Sequence, residues 1–149
     1  MPEPISKCMK EPGFDIVDCF NVANYAQFLK APLFMIQSPY DEFSLKNIVG
    51  ASCITNKDEP YSIETCNKTT LSAIDDYRLK SIDYLNSMRR SVKTIGVWGP
   101  ACVQHCYAHE WSYNDSNYQV NGHTLMEAIN MFIENPTKGL WLLDEKPWP

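Results

Sequence analysis

Apolar positions in this chain gather into short runs and helical stripes, separated by polar stretches rich in turn formers. After Pro32, residues 33–36 read Leu-Phe-Met-Ile, apolar at every position, and Ser38-Pro39-Tyr40 ends the run. A strand buried on both faces of a parallel sheet has this continuous character, although four residues alone also fit a helix turn. Leu45, Ile48 and Val49 follow Asp41 at helical spacing, and Gly50 supplies a stop. Residues 52–70 turn polar and contain Pro60, which predicts a surface loop. Leu71, Ile74, Tyr77, Ile82, Leu85, Met88 and Val92 then mark one stripe of a helix of about six turns.

Residues 95–98 form a second short strand candidate, broken by Gly99-Pro100. Thr124-x-x-Glu127 is a capping box ahead of Leu125, Ala128, Ile129, Phe132 and Ile133, and Asn135-Pro136 closes that helix. Residues 1–31 have weak periodicity and predict a stapled loop or short helix, and the segment after Asn135 reads as a linker-like tail. The order is strand, Asp loop, helix, strand, His loop, helix. Such alternation builds an α/β fold, a parallel sheet with flanking helices and ligands at the carboxyl ends of its strands. Two strands cannot make a stable open sheet covered on both sides, so the pattern predicts part of a larger one.

The length of 149 residues and an apolar fraction of 44% fit one ordinary domain with a core. A net charge of -5 leaves no basic face, and Arg89-Arg90 with Lys93 is the only cationic cluster, so nucleic acid is excluded as an expected partner. No apolar run approaches the roughly 20 residues of a membrane helix, so no membrane partner is expected. Residues 1–7 lack the basic and apolar stretches of a secretory signal. The cysteines point the other way. Cys8, Cys19, Cys53, Cys66, Cys102 and Cys106 fall as three close pairs, as expected if each pair closes a local loop; Cys8 with Cys19 and Cys53 with Cys66 are the preferred disulfides. Asn67-Lys-Thr69 and Asn114-Asp-Ser116 fit the N-glycosylation pattern. Disulfides persist in oxidising compartments. The expectation is therefore a secreted, extracellular protein whose signal peptide lies in a missing N-terminal part; the alternative is a cytosolic protein with six free thiols.

Asp41 and His105 each follow a strand end. In a serine hydrolase a histidine takes the proton from the nucleophile while a buried carboxylate fixes its tautomer, and in α/β-hydrolases the chain order is nucleophile, acid, histidine. Asp41 and then His105 match the second half of that order. Helix capping explains Asp41 equally well on pattern alone. No Gly-x-Ser-x-Gly turn occurs anywhere in the 149 residues.

The segment from Pro32 to Asp41, the Cys53 and Cys66 loop, Gly96 to His105, the run Val120-Asn-Gly-His-Thr-Leu-Met-Glu-Ala128 and the closing Pro147-Trp-Pro149 together resemble the C-terminal part of the pectin acetylesterase and Notum family. The similarity runs from about Cys8 to the last residue, and Cys102-Val-Gln-His105 is its most specific piece. The resemblance implies an α/β-hydrolase-like fold, of which residues 1–149 would be the C-terminal part, and a carboxylic ester hydrolase removing acyl groups from a polysaccharide or a lipidated protein. It assigns Asp41 as triad acid and His105 as general base. Cys106-Tyr-Ala-His109 repeats the spacing, which leaves His109 as the alternative base; Gly99-Pro-Ala-Cys102 directly after a strand favours His105. His123 reads as a solvent-facing residue near a helix start.

Cys102, His105, Cys106 and His109 are also zinc-type ligands, but eight consecutive residues can hardly surround one ion. No metal or organic cofactor is implied. The chain departs from the family pattern in lacking the serine elbow and in stopping at the Pro-Trp-Pro, beyond which the family has further cysteines. Three expectations follow: a fragment of a secreted esterase, inactive by itself; an acylated polysaccharide or acyl-protein as the parent's substrate; and, in the alternative, a non-catalytic secreted glycan-binding or interaction module using Trp98, Trp111, Trp141 and Trp148. Oligomeric state is not readable from the sequence.

Overall fold

The computed structural model describes residues 1–54, 62–105, 114 and 116–147. Its helices are α1 (Glu3–Cys8), α2 (Val22–Tyr25), α3 (Glu42–Asn47), α4 (Lys68–Ser91) and α5 (Leu125–Glu134), with short 3-10 turns at Asp18–Phe20, Ala26–Phe28 and Pro136–Lys138. Its strands are β1 (Leu33–Ile36), β2 (Ile95–Gly99) and β3 (Leu140–Leu143). They form one parallel sheet in the order β1-β2-β3, with Phe34 opposite Gly96 and Gly96 opposite Leu140. The α/β reading holds at this level, a small parallel sheet with flanking helices.

The segment after Asn135 is not a linker. Leu140-Trp-Leu-Leu143 is a four-residue apolar run of the same kind as residues 33–36, and it pairs along the far side of β2. Pro136 and the positive φ of Gly139 (70°) belong to the turn that delivers it. A fully buried β2, all five residues, is the consequence of having a neighbour on each side.

Side chains alternate across the sheet, so each helix meets one face. Ile82, Leu85 and Met88 of α4 pack with Ile95, Val97 and Leu143. Leu125 and Ala128 of α5 pack with Trp98 and Leu142 on the other face. α5 comes close to β2 at Gly96, where a Cβ would lie 2.7 Å from the Phe132 ring. The strands progress in one direction while α4 and α5 cover opposite faces, so the two crossovers have opposite hands. One of them departs from the right-handed rule that holds in about 98% of such connections.

Two disulfides, Cys8–Cys19 and Cys53–Cys66, staple loops outside the sheet. The second adjoins a third core of Tyr40, Leu45, Ile54, Ile63, Ile74 and Val103, which lies beneath the loops leaving β1 and β2. Arg78 of α4 is buried with its charge paired: its Nε donates to Asp75 (2.8 Å) and its Nη1 to the Glu145 carbonyl (2.7 Å), which ties the C-terminal segment to α4.

Candidate active site

β1 and β2 are adjacent and parallel, so the loops after them leave the same edge of the sheet. Backbone and side-chain bonds then join the two loops. Gln37 N–H donates to the Trp98 carbonyl at 3.2 Å, continuing the ladder past β1. The Ser38 hydroxyl donates to the Cys102 carbonyl at 2.6 Å and accepts from Tyr40 N–H at 2.8 Å. Glu42 N–H reaches the Gln104 carbonyl at 3.4 Å. Gly99 makes the approach feasible, because a Cβ there would lie 2.4 Å from the Gln37 carbonyl oxygen.

Asp41 sits at the N-cap of α3, where its Oδ1 accepts from Ser44 N–H at 2.8 Å. Its Oδ2 is 2.6 Å from Nδ1 of His105. A carboxylate only accepts, so in this arrangement Nδ1 carries the proton and donates, and Nε2 is left as the basic nitrogen. Asp41 is 4% exposed, whereas the His105 side chain is 47% exposed. The imidazole also lies against the Phe43 ring, with centroids 5.3 Å apart. It is thus oriented from behind by a buried carboxylate, flanked by an aromatic ring and open on its outer side. Among the described residues Asp41 is its one hydrogen-bond partner.

A cavity of about 430 Å³ opens beside the pair, with Met35, Phe43, Tyr77, Tyr84 and Leu85 among its walls. Chemically, the pair can remove a proton from a hydroxyl brought to Nε2 and return it to a leaving group. Among the described residues, no cluster of three or more metal-type ligands occurs.

The sequence-chosen residues are thus distributed as follows. Asp41 and His105 are brought together; Cys106 and His109 lie outside the described residues, as do Trp111 and Trp148. Asn67 is exposed and caps α4, its Oδ1 accepting from Thr70 N–H at 2.9 Å, and Asn114 is exposed. His123 is half-buried rather than solvent-facing, its carbonyl accepting from Trp98 Nε1 at 3.1 Å. Trp98 is fully buried and offers no sugar-stacking face. Sequence reasoning missed Ser38, Phe43 and Gly99. Ser38-Pro39 was legible only as a strand terminator, and Gly99 only as a breaker.

The family model described as Pectinacetylesterase matches residues 2–149. Pectin acetylesterase 11 of Arabidopsis thaliana is 26% identical over 127 residues, an alignment covering 80% of this chain and 32% of that protein. The chain therefore spans about a third of the length of this curated relative. No solved structure matches it.

Proposed function

The chain belongs to the pectinacetylesterase family, and from that premise we propose that it carries the acid and the base of a serine carboxylic ester hydrolase. Asp41 holds the His105 imidazole in the tautomer with Nδ1 protonated and stabilises its positive charge when Nε2 takes up a proton. His105 removes the proton from the serine nucleophile during acylation and delivers it to the leaving alcohol; in deacylation it activates water by the same path. The serine and the amide donors that stabilise the tetrahedral oxyanion come from residues outside these 149. On this reading the 149 residues alone hydrolyse no ester. The acyl group is carried by a polysaccharide, in keeping with the name of the Arabidopsis relative, or by an acylated protein.

The observation that carries the proposal is the 2.6 Å contact between Asp41 Oδ2 and His105 Nδ1, made across two adjacent strand ends by the residues that the family resemblance assigns. Two disulfides support action in an oxidising, extracellular setting, and exposed Asn67 and Asn114 are its glycan acceptors. The test is ester hydrolysis by the native gene product that contains these residues. His105→Ala should abolish turnover without changing the fold; full activity in that variant sinks the assignment.

A further inference from the structure

The contact between Asp41 and His105 depends on two loops keeping their places, and the imidazole does little to hold them. The His105 side chain is about half exposed, and Asp41 is its one hydrogen-bond partner among the described residues. Its ring therefore follows the backbone that carries it. That backbone leaves β2 after Gly99, and the backbone of Asp41 leaves β1 after Ile36. Between the end of the strand ladder and the pair stands Ser38, three residues before Asp41, with Cys102 opposite it, three residues before His105.

Ser38 is 1% exposed. Residue 39 is proline and has no N–H, so the first amide donor that the turn offers is that of Tyr40, which goes to the Ser38 oxygen at 2.8 Å. Accepting that bond orients the hydroxyl, whose single proton is given to the Cys102 carbonyl at 2.6 Å. One side chain thus fixes the bend of the acid loop and ties it to the base loop. The backbone contact nearer the pair, Glu42 N–H to the Gln104 carbonyl, is long at 3.4 Å and holds the spacing less tightly. A turn needs only the bond to Tyr40. The bond to Cys102, made across 64 positions of the chain, serves the relation between the loops.

We propose that Ser38 is a positioning residue for the reaction: its hydroxyl clamps the two loops at the spacing that keeps Asp41 Oδ2 against His105 Nδ1, and it touches neither the substrate nor the transferred proton. The proposal rests on the reading of Asp41 and His105 as acid and base. A contact of 2.6 Å leaves no slack. Misplacing a reacting group by about 1 Å costs about 10²-fold in rate, so a loop shift of that size is enough to show in kcat.

The test is steady-state ester hydrolysis by the native gene product that contains these residues, beside its Ser38→Ala, Asp41→Asn and double variants, each assayed well below its melting temperature. Ser38→Ala should lower kcat by about 10²-fold while KM changes by no more than about twofold. In the Asp41→Asn background, where the pair is already broken, the same substitution should cost no more than about twofold further. A residue that only stabilises the fold gives another pattern, because its effect multiplies with that of Asp41→Asn. An unchanged kcat in Ser38→Ala, or equal losses with and without the Asp41 carboxylate, overturns the proposal. If Ser38→Ala melts below the assay temperature, Ser38→Cys, similar in size with a weaker donor, goes through the same cycle and decides. Full activity in His105→Ala would instead remove the acid and base reading itself, which keeps the two failures apart.

Discussion

Asp41 uses its two oxygens for different ends, Oδ1 as the cap of α3 and Oδ2 against His105. The two roles separate by substitution. Asn caps a helix as well as Asp, so Asp41→Asn in the native enzyme should leave the melting temperature nearly unchanged. Its amide would present a donor to Nδ1, force the other tautomer and lower kcat by roughly 10⁴-fold. Asp41→Ala should add a loss of about 1 kcal/mol from the missing cap, read in the same thermal melts. A kcat that survives in Asp41→Asn would leave the cap as the residue's whole purpose. Gly99 acts on the pair at one remove. Its missing side chain lets the Gln37 carbonyl approach, so Gly99→Ala should cost about 1–3 kcal/mol through overpacking and lower activity as the two loops part, measured by denaturant melts and initial rates. Asp41 and His105 were singled out by their places after apolar runs together with the family resemblance, since the pattern alone fits a helix cap equally well. Ser38 and Phe43 were not, since the contacts that give them meaning join residues about 60 positions apart in the chain.

At the scale of elements, α4 and α5 were legible, the first from its stripe and the second from its capping box. Both halves of that box are present: Glu127 N–H donates to the Thr124 hydroxyl at 3.4 Å, and Thr124 N–H donates to Glu127 Oε2 at 2.8 Å. Thr124→Ala should destabilise by about 1 kcal/mol. The bond from the Thr124 backbone N–H, then that from its hydroxyl, holds the Glu127 carboxyl below its ordinary value of 4.5. A depressed folded value means that the contribution of Glu127 is complete above about pH 4.5 and is lost as pH falls through the lower folded value. The melting temperatures of the protein and of Glu127→Gln should therefore differ at pH 7 and converge at the acid end, where a constant gap would contradict the linkage. β3 escaped the sequence reading because Pro136 and Gly139 before it look like the punctuation of a tail, and four apolar residues carry no period of their own. The opposite hands of the two crossovers were out of reach as well, because periodicity says that a helix is amphipathic and not which face of the sheet it covers.

For the whole molecule, the sheet is closed on neither side among the described residues. β1 pairs only with β2, and all four of its residues remain partly exposed. Val17, Phe20, Phe43 and Ile48 are each more than half exposed. The disulfides close loops between residues 11 and 13 positions apart. On chain-entropy grounds each is worth about 3 kcal/mol, so reduction should lower the melting temperature sharply, and an unchanged melt would show that the staples are idle. The order of apolar runs and helical stripes indicated an α/β chain and the cysteine spacing three pairs, but strand pairing and burial depend on which surfaces meet, and no residue states that alone. The central claim concerns one nitrogen. Ester hydrolysis should be measured with the native enzyme beside its His105→Ala and His109→Ala variants, each checked for an unchanged melt. The account predicts that His105→Ala loses activity by at least about 10³-fold while His109→Ala keeps most of it; full turnover in His105→Ala, with loss in His109→Ala, would contradict it.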